Sequence, residues 1–191
     1  MSTHCATVFG IDPGLHTGIC AVRVWRLDDT EPPVPTATHP MIRGYALEVR
    51  AQTVLDGMGA FADGAAELLG AEFEDRARDV PPVPVVAAVE KFVLTRNSTL
   101  GGGHYALETT GALRAIRHLH FPALRIDVSQ KSAIKSIVTD PVLRELGLKR
   151  RGDGLPDYAH DAARHAVTWV MRLREQGGAA GARCGLARRA G

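Results

Sequence analysis

The sequence has few of the residues that build a thiol-stabilised protein. Its 191 residues include three cysteines, Cys5, Cys20 and Cys184, and these form no CxxC pair. So small and scattered a set excludes a disulfide framework and a cysteine-ligated zinc site. We therefore expect all three to be reduced thiols.

Long apolar runs are also missing. No stretch approaches the roughly 20 apolar residues that a membrane-spanning helix needs, and the sequence does not begin with a charged segment, an apolar stretch and a cleavage site. We therefore expect a soluble, cytoplasmic protein. Because 45% of the residues are hydrophobic, the chain has enough apolar material for the core of one domain.

Neither sign of charge dominates, because the formal net charge is +2. The basic residues are unevenly distributed, however, and residues 114–151 contain nine Lys and Arg residues against three acidic ones. This asymmetry is compatible with a surface for nucleic acid. Taken alone, the asymmetry would be explained as well by a basic face that contacts only solvent.

Short apolar runs separated by turn residues predict an α/β fold. The runs at 7–9 and 19–25 flank several glycines and one proline, which predicts a β-hairpin. After these, the pattern predicts a loop at 28–40, a strand at 42–49, a helix at 52–77, a buried strand at 85–89, a loop at 96–103, a helix at 105–118, a strand at 124–128, a helix from about 129, a basic loop at 147–155 and a last helix at 156–174.

Two regions follow from this division of the chain. Residues 1–175 are expected to form one domain. From Gly177 to Gly191 the sequence is Gly, Ala and Arg only, apart from Cys184 and Leu186. We expect residues 176–191 to be a disordered tail.

Two acidic residues stand where predicted strands end. Asp12 follows the apolar run VFGI and precedes Pro13, an arrangement that by itself is usually only a turn. Glu90 ends the run VVAAVE, and a carboxylate flush with a buried strand is costly unless it is paired. We interpret the two together as ligands of a cation.

The last predicted helix adds two more carboxylates. Asp157 and Asp161 are four residues apart and therefore lie on one helix face, and the small residues Ala162, Ala163 and Ala166 permit close approach to a sheet. Three or four carboxylates would form a hard, all-oxygen site that suits Mg²⁺, with Mn²⁺ as a substitute.

The segments FGIDPGLHTG, AAVEKFVL and HDAARHAV, in this order, resemble the three acidic motifs of RuvC-type Holliday junction resolvases, and in particular the bacteriophage RuvC-like members. The resemblance covers roughly residues 5–175. It implies an RNase H-like fold with a mixed five-stranded sheet flanked by helices. It also implies a homodimer that cuts branched DNA at four-way junctions, in the host cytoplasm if the protein is encoded by a phage.

Position by position, Asp12, Glu90 and Asp161 resemble the metal-binding and catalytic carboxylates of the family. A fourth ligand is expected three residues before Asp161, where this sequence has Tyr158. We favour Asp157 as the substitute, while His160 or a site of three carboxylates stays open. The family has two ligand positions three residues apart on this helix. In the alternative register, Asp161 occupies the first of them and Arg164 occupies the second.

The family's chemistry implies further functional residues. In a two-metal mechanism one ion activates the attacking water and the other stabilises the leaving 3′ oxygen. Lys131 and Lys135 match a segment that carries functional lysine in the family, and they are catalytic candidates. A solvated helix start is the alternative interpretation for both.

Residues that follow Glu90 and residues of the basic loop are DNA-binding candidates. Basic and amide donors would grip phosphates without reading sequence, and Phe92 would stack on an opened base unless it is a core residue. The set consists of Lys91, Phe92, Arg96, Asn97, Lys149, Arg150 and Arg151. His104, His118, His120 and His165 share no ligand spacing with cysteines, and we expect them at the surface or the edge of the core.

Three other functions compete with a junction resolvase. A nuclease of the same fold with broader specificity, for flaps, forks or RNA, is excluded by no residue. An actin-like phosphotransferase shares the motif G-I-D-x-G, but it needs two domains around its nucleotide. A protein that binds junctions without cutting them would be expected to lose a carboxylate, whereas Asp12, Glu90 and Asp161 are all present.

Overall fold

A five-stranded mixed sheet forms the centre of the molecule. The computed structural model describes residues 3–27, 35–76, 83–91 and 103–179, without the side chains of residues 129–133 and 177–179. The elements are β1 (Thr3–Asp12), β2 (His16–Arg26), a 3-10 helix (Pro40–Ile42), β3 (Tyr45–Asp56), α1 (Gly57–Arg76), β4 (Val85–Lys91), α2 (Gly103–Leu119), β5 (Arg125–Gln130), α3 (Lys131–Ile137), α4 (Asp140–Glu145) and α5 (Asp157–Ala179).

The strand order is β3-β2-β1-β4-β5. The first three strands form an antiparallel meander, whereas β4 runs parallel to β1 and β5 runs parallel to β4. The central strands β1 and β4 are buried on both faces, which explains why their sequences are continuous apolar runs rather than alternating ones. The predicted fold class, a mixed five-stranded sheet flanked by helices, is confirmed.

Each face of the sheet has its own hydrophobic core. On one face, α1 and α2 bury Phe61, Leu69 and Leu113 against Phe9 and Ile11 of β1. On the other face, α5 contributes a stripe of small and branched residues that packs against alternate residues of β1 and β2. This stripe consists of Ala162, Ala163, Ala166, Val167 and Val170.

Two glycines let α5 lie directly on the sheet. A Cβ atom added at Gly10 of β1 would lie 1.9 Å from the carbonyl oxygen of Ala162, and one added at Gly18 of β2 would lie 1.9 Å from that of Tyr158. No side chain fits at such a distance, so both positions require glycine. The helix is thereby held close to the end of β1.

Some predicted boundaries are wrong. The third strand is not at 42–49 but extends from Tyr45 to Asp56, because residues 52–56 continue the pairing with β2. The helix predicted from residue 52 therefore begins at Gly57, where a positive φ of 80° marks the turn from strand to helix. The helix predicted from about 129 begins at Lys131, after β5.

The C-terminal helix is longer than predicted. It continues to Ala179, beyond the predicted end at 174 and into the segment expected to be a disordered tail, while residues 180–191 lie outside the described part of the chain. The loop predicted at 28–40 is described only from residue 35 onward. None of the helices described is long and apolar enough to cross a membrane.

Candidate metal centre

Three side chains from distant parts of the sequence converge at one edge of the sheet. Asp12 is the last residue of β1, Glu90 is the second-last residue of β4, and His165 lies on α5. One ligand atom from each lies within 4.8 Å of the other two. We call Asp12, Glu90 and His165 the donor group.

The topology explains why the two carboxylates meet. The strands β1 and β4 are adjacent and parallel, and Ile11 pairs with Val89. The residues that follow this pair, Asp12 and Glu90, therefore lie side by side on the same face of the sheet. The close approach of α5 over Gly10 then brings His165 to that face.

The donor group has the chemistry of a divalent metal site. Asp12, Glu90 and His165 are 4%, 9% and 2% exposed, and two carboxylates this close and this buried repel each other strongly unless a cation compensates them. Two carboxylate oxygens suit Mg²⁺ and Mn²⁺, and an imidazole nitrogen favours the softer Mn²⁺ over Mg²⁺. The residues present therefore fit a divalent cation, although the group is not the all-oxygen set expected from the sequence.

The turn that carries Asp12 is fixed by two buried threonines. The Thr17 hydroxyl donates to the carbonyl oxygen of Gly14 at 2.8 Å, and the backbone N–H of Gly14 donates back to that hydroxyl at 3.4 Å. The Thr109 hydroxyl of α2 donates to the same carbonyl at 3.4 Å. These bonds hold the turn, and with it Asp12, against α2.

Asp161 lies one helical turn before His165, and both of its oxygens contact cations. Arg164 donates from Nη1 to Oδ1 of Asp161 at 2.6 Å, and Nζ of Lys135 lies 2.6 Å from Oδ2. The Asp161 side chain is 7% exposed, whereas that of Lys135 is 50% exposed. Asp161 is therefore at the site, in an ion pair on each side, but is not a member of the donor group.

Arg164 is anchored by one acceptor between α3 and α4, Val138, and one at the start of α4, Asp140. Its Nε donates to the carbonyl oxygen of Val138 at 3.0 Å, and its Nη2 makes a very short contact with Asp140. Lys149 also pairs with Asp140, at 2.8 Å. The hydrogen bond from Lys149, with the positive charges of Lys149 and Arg164, lowers the pKa of the Asp140 carboxyl below its usual value.

The residues considered as a fourth ligand lie elsewhere. Asp157 is the first residue of α5, and its side chain is 90% exposed. His160 is buried at 3% exposure, and its Nε2 lies 3.3 Å from Asp153 in the loop before α5, while its Nδ1 has no hydrogen-bond partner. Neither belongs to the donor group among the described residues.

His165 is the site residue that the sequence analysis missed. It was expected at the surface or core edge, but it is buried beside Asp12 and Glu90. The helical spacing that linked Asp161 backward to Asp157 also links it forward to His165. The sequence favours His165 over Asp157 as the neighbour at the site. The small residues Ala162, Ala163 and Ala166, which follow Asp161, indicate the part of the helix that approaches the sheet.

The DNA-binding candidates of the basic loop surround an open pocket of about 650 Å³. Arg150 and Arg151 are exposed, whereas Lys149 is partly buried in its pair with Asp140. Asp153 shapes the loop, because its carboxylate accepts hydrogen bonds from the backbone N–H groups of Arg150 and Leu155. These bonds, that of Arg150 foremost, lower the pKa of Asp153.

The other predicted residues are described in part. Lys91 is exposed at the end of β4, directly after Glu90. Lys131 is the first residue of α3, and its side chain lies outside the described part of the structure. Phe92, Arg96 and Asn97 also lie outside the described residues, so their roles stay predictions.

Comparisons with known proteins identify the fold. No protein-family model matches the sequence, and no curated protein sequence matches it. Nine chains of solved structures match, among them T. thermophilus RuvC in complex with a Holliday junction substrate. It has 18% sequence identity and a TM-score of 0.58, and the match covers 90% of this chain and 96% of that chain. At this identity the similarity establishes the architecture alone: the chain has the RNase H-like fold of RuvC.

Proposed function

We propose that this protein is a divalent-metal-dependent endonuclease that cuts branched DNA, with the four-way junction as its preferred substrate. The observation that carries the proposal is the convergence of Asp12, Glu90 and His165 within 4.8 Å in a buried setting. Support for the substrate comes from the fold, since a structure of similar architecture holds a Holliday junction.

The donor group would hold Mg²⁺ or Mn²⁺, both of which suit its two carboxylates. A divalent cation in this position supplies Lewis acidity toward a phosphate oxygen and lowers the pKa of an attacking water. Asp12 and Glu90 fix the charge of the site from rigid strand ends, and His165 adds a nitrogen ligand from α5. Because all three are buried, their interactions with a cation are screened little by solvent.

Exposed cations around the site would bind the DNA backbone. Lys91 follows Glu90 directly, and Arg150 and Arg151 border the pocket of the basic loop. Lysine and arginine contacts to phosphates give affinity without sequence information. We therefore expect binding that weakens steeply with salt.

A junction has two strands to cut, and the described part of one chain carries one donor group. We therefore propose a homodimer as the active form. Light scattering of the purified protein should give about twice the mass of the 20.5 kDa chain.

The decisive experiment compares cleavage and binding in carboxylate variants. Asp12→Asn and Glu90→Gln should lose Mg²⁺-dependent cleavage of a four-way junction by at least about 100-fold while they retain junction binding. Glu67→Gln, which alters an exposed carboxylate on α1, is the matched control and should cut normally. Cleavage at the wild-type rate by either site variant would overturn the proposal.

Substrate preference is measured in the same assay. The wild-type protein should cut a four-way junction faster than a flap, a fork, an RNA–DNA hybrid or a plain duplex. Equal rates on all of these would instead indicate the broader nuclease.

A further inference from the structure

The pocket of the basic loop combines a concave shape with positive charge. It has a volume of about 650 Å³ and lies between Arg144 of α4, the loop residues 149–155 and the first turn of α5. Besides His160, four of the side chains that line it are basic and two are acidic. A cavity of this size and sign of charge suits an anionic group.

The two acidic side chains do not neutralise the arginines of this pocket. The Asp153 carboxylate accepts from two backbone N–H groups of the loop and lies 3.3 Å from Nε2 of His160. The Asp157 side chain is 90% exposed. Among the residues that the structure describes, no ion pair engages the guanidinium group of Arg150 or Arg151. Both groups are therefore available to an anion from solution.

A buried imidazole nitrogen at the pocket has no partner. His160 is 3% exposed, and its Nδ1 makes no hydrogen bond within the described part of the chain. Oδ1 of Asp157 is 3.9 Å from this nitrogen, which is too long for a hydrogen bond. Buried polar atoms without a partner are rare in native proteins, and a bound ion or water is a common reason for one.

The contacts of His160 show that its ring edge borders the pocket. Nε2 lies next to Asp153 and Nδ1 lies on the side of Asp157, and both of these residues line the pocket. Because a carboxylate can only accept, Nε2 carries the hydrogen of its contact with Asp153. Nδ1 is left to bind an anion directly or through a water that the anion holds.

The pocket is separate from the donor group, although both involve α5. His160 and His165 are five residues apart, which places them about 7.5 Å apart along the helix axis and about 140° apart around it. A phosphate in the pocket is therefore a different one from a phosphate at the donor group. One DNA molecule can supply both, because each of its strands carries a phosphate about every 3.4 Å along the axis.

We propose that the pocket of the basic loop is a discrete binding site for one phosphate of the DNA backbone, held by Arg150 and Arg151 and completed by the buried His160. The proposed function expects these arginines to contact DNA, and this inference deepens it by replacing a diffuse basic surface with a single site. It rests on the proposed function only for the identity of the ligand as DNA.

The first test asks whether the pocket binds a free phosphate. The full-length protein with isotope-labelled nitrogen would be kept in EDTA, so that no metal ion contributes, and titrated with inorganic phosphate at constant pH and ionic strength. In nuclear magnetic resonance spectra, the His160 ring and the amides of residues 149–155 should shift along one saturable curve. An absent or unsaturable response would overturn the proposal.

Matched arginine variants separate a discrete site from a general effect of charge. Arg150→Gln and Arg151→Gln should each weaken phosphate binding by more than about fivefold, because each removes charged hydrogen-bond donors from the site. Arg117→Gln removes an exposed arginine near the end of α2, and it should change the affinity by less than about twofold. Equal losses in all three variants would overturn the proposal.

The role of His160 is tested in the same titration. His160→Gln should weaken phosphate binding, while its spectrum identifies the ring resonances of His160. Because this side chain is buried, the variant may lose stability, which thermal melting would reveal. The arginine variants alter exposed side chains, so they and the amide shifts of the loop test the site in that case as well.

The second test asks whether the phosphate comes from DNA. A four-way junction added in EDTA should shift the same resonances and displace inorganic phosphate. Arg150→Gln and Arg151→Gln should each reduce the slope of log affinity for the junction against log salt concentration by about 1, and Arg117→Gln should leave it unchanged. A junction that binds while phosphate stays in the pocket would overturn the assignment to DNA and indicate a free phosphate compound.

The two proposals fail differently. If Asp12→Asn cuts junctions normally, the proposed function falls, whereas phosphate binding in EDTA does not depend on that result. If the wild-type protein cuts junctions with Mg²⁺ but its basic loop does not bind phosphate, the proposed function stands and the phosphate site falls.

Discussion

The sheet carries a group of ionisable side chains on each face, and the two groups differ in composition. On the α1 side, Glu72 accepts from Arg23 at 3.0 Å and from Arg50 at 3.1 Å, and Arg50 also donates to Glu48 at 3.0 Å. Asp75 completes this network through Arg23. On the α5 side, the donor group brings together Asp12, Glu90 and His165, with both carboxylates on the same edge of the sheet.

The contrast separates a network of ion pairs from a group whose composition suits a metal ion. Burial alone would lower the pKa of Arg23, but the hydrogen bonds to Glu72 and Asp75 outweigh it and raise that pKa above its usual value. Arginine and carboxylate thus satisfy each other on the α1 side. On the α5 side Asp161 is satisfied in this way by Arg164 and Lys135, and the donor group beside it is the part that suits a metal ion.

The largest expected effect tests the α1-side network. Glu72→Gln weakens the hydrogen bonds that two arginines donate to one buried carboxylate, while Asp75 and Glu48 remain as their partners. The free energy of unfolding should therefore fall by about 3 kcal/mol. Urea denaturation would measure this, with Glu67→Gln on the same helix as the control. Mn²⁺ affinity should stay unchanged, and a change in it would mean that the two faces of the sheet are coupled.

The second prediction concerns stabilisation by metal. Mn²⁺ at about 100 times its Kd should raise the free energy of unfolding of the wild-type protein by about 2.7 kcal/mol, because it binds the folded state alone. Glu72→Gln should retain this increment, whereas His165→Ala should lose most of it. If Mn²⁺ stabilised His165→Ala as much as the wild-type protein, His165 would not be a metal ligand.

The third prediction tests how α5 is brought to the sheet. Gly10→Ala would place a methyl group against the backbone of α5 near Ala162, and the strain should cost about 1–3 kcal/mol. Mn²⁺ binding should weaken as well, because α5 carries His165. Gly111→Ala is the matched control, since an added Cβ there meets nothing within 4 Å, and it should stabilise α2 by up to about 1 kcal/mol. Equal stability of the two variants would contradict the role of Gly10.

The sequence was sufficient to predict the strand ends at the site. Asp12 and Glu90 each follow an apolar run buried on both faces, and a carboxylate at the end of such a run is costly unless it is paired or binds a cation. The order of strands and helices was also predicted from the short apolar runs and the turn residues between them. The residues of β3 from Gln52 onward were misassigned because their pattern fits a helix as well as a strand, and pairing with β2 decides between them.

The pairing of Asp161 could not be predicted from local pattern. Its partner Lys135 comes from α3, and Arg164 is fixed by Val138 before α4 and by Asp140 at the start of α4. Which of several nearby carboxylates meets a cation depends on how these short helices pack against α5. Helix periodicity alone relates Asp161 equally to Asp157 and His165, and the exposure of Asp157 becomes apparent only in three dimensions.

The smallest expected effect concerns acid. The pKa of the Asp140 carboxyl is lowered in the folded protein, first by the hydrogen bond from Lys149 and also by the charge of Arg164. A lowered folded pKa means that the carboxylate stabilises the fold above its ordinary pKa of 3.8, and that this contribution is lost as pH falls through the lower folded value. Because the side chain is 40% exposed, the contribution should be less than about 1 kcal/mol.

Asp140→Asn should therefore be slightly less stable than the wild-type protein from pH 7 down to about pH 4, and the difference should shrink at lower pH. Urea denaturation at several pH values would measure the difference. A difference in stability that grows as the pH falls would contradict the assigned direction of the pKa shift.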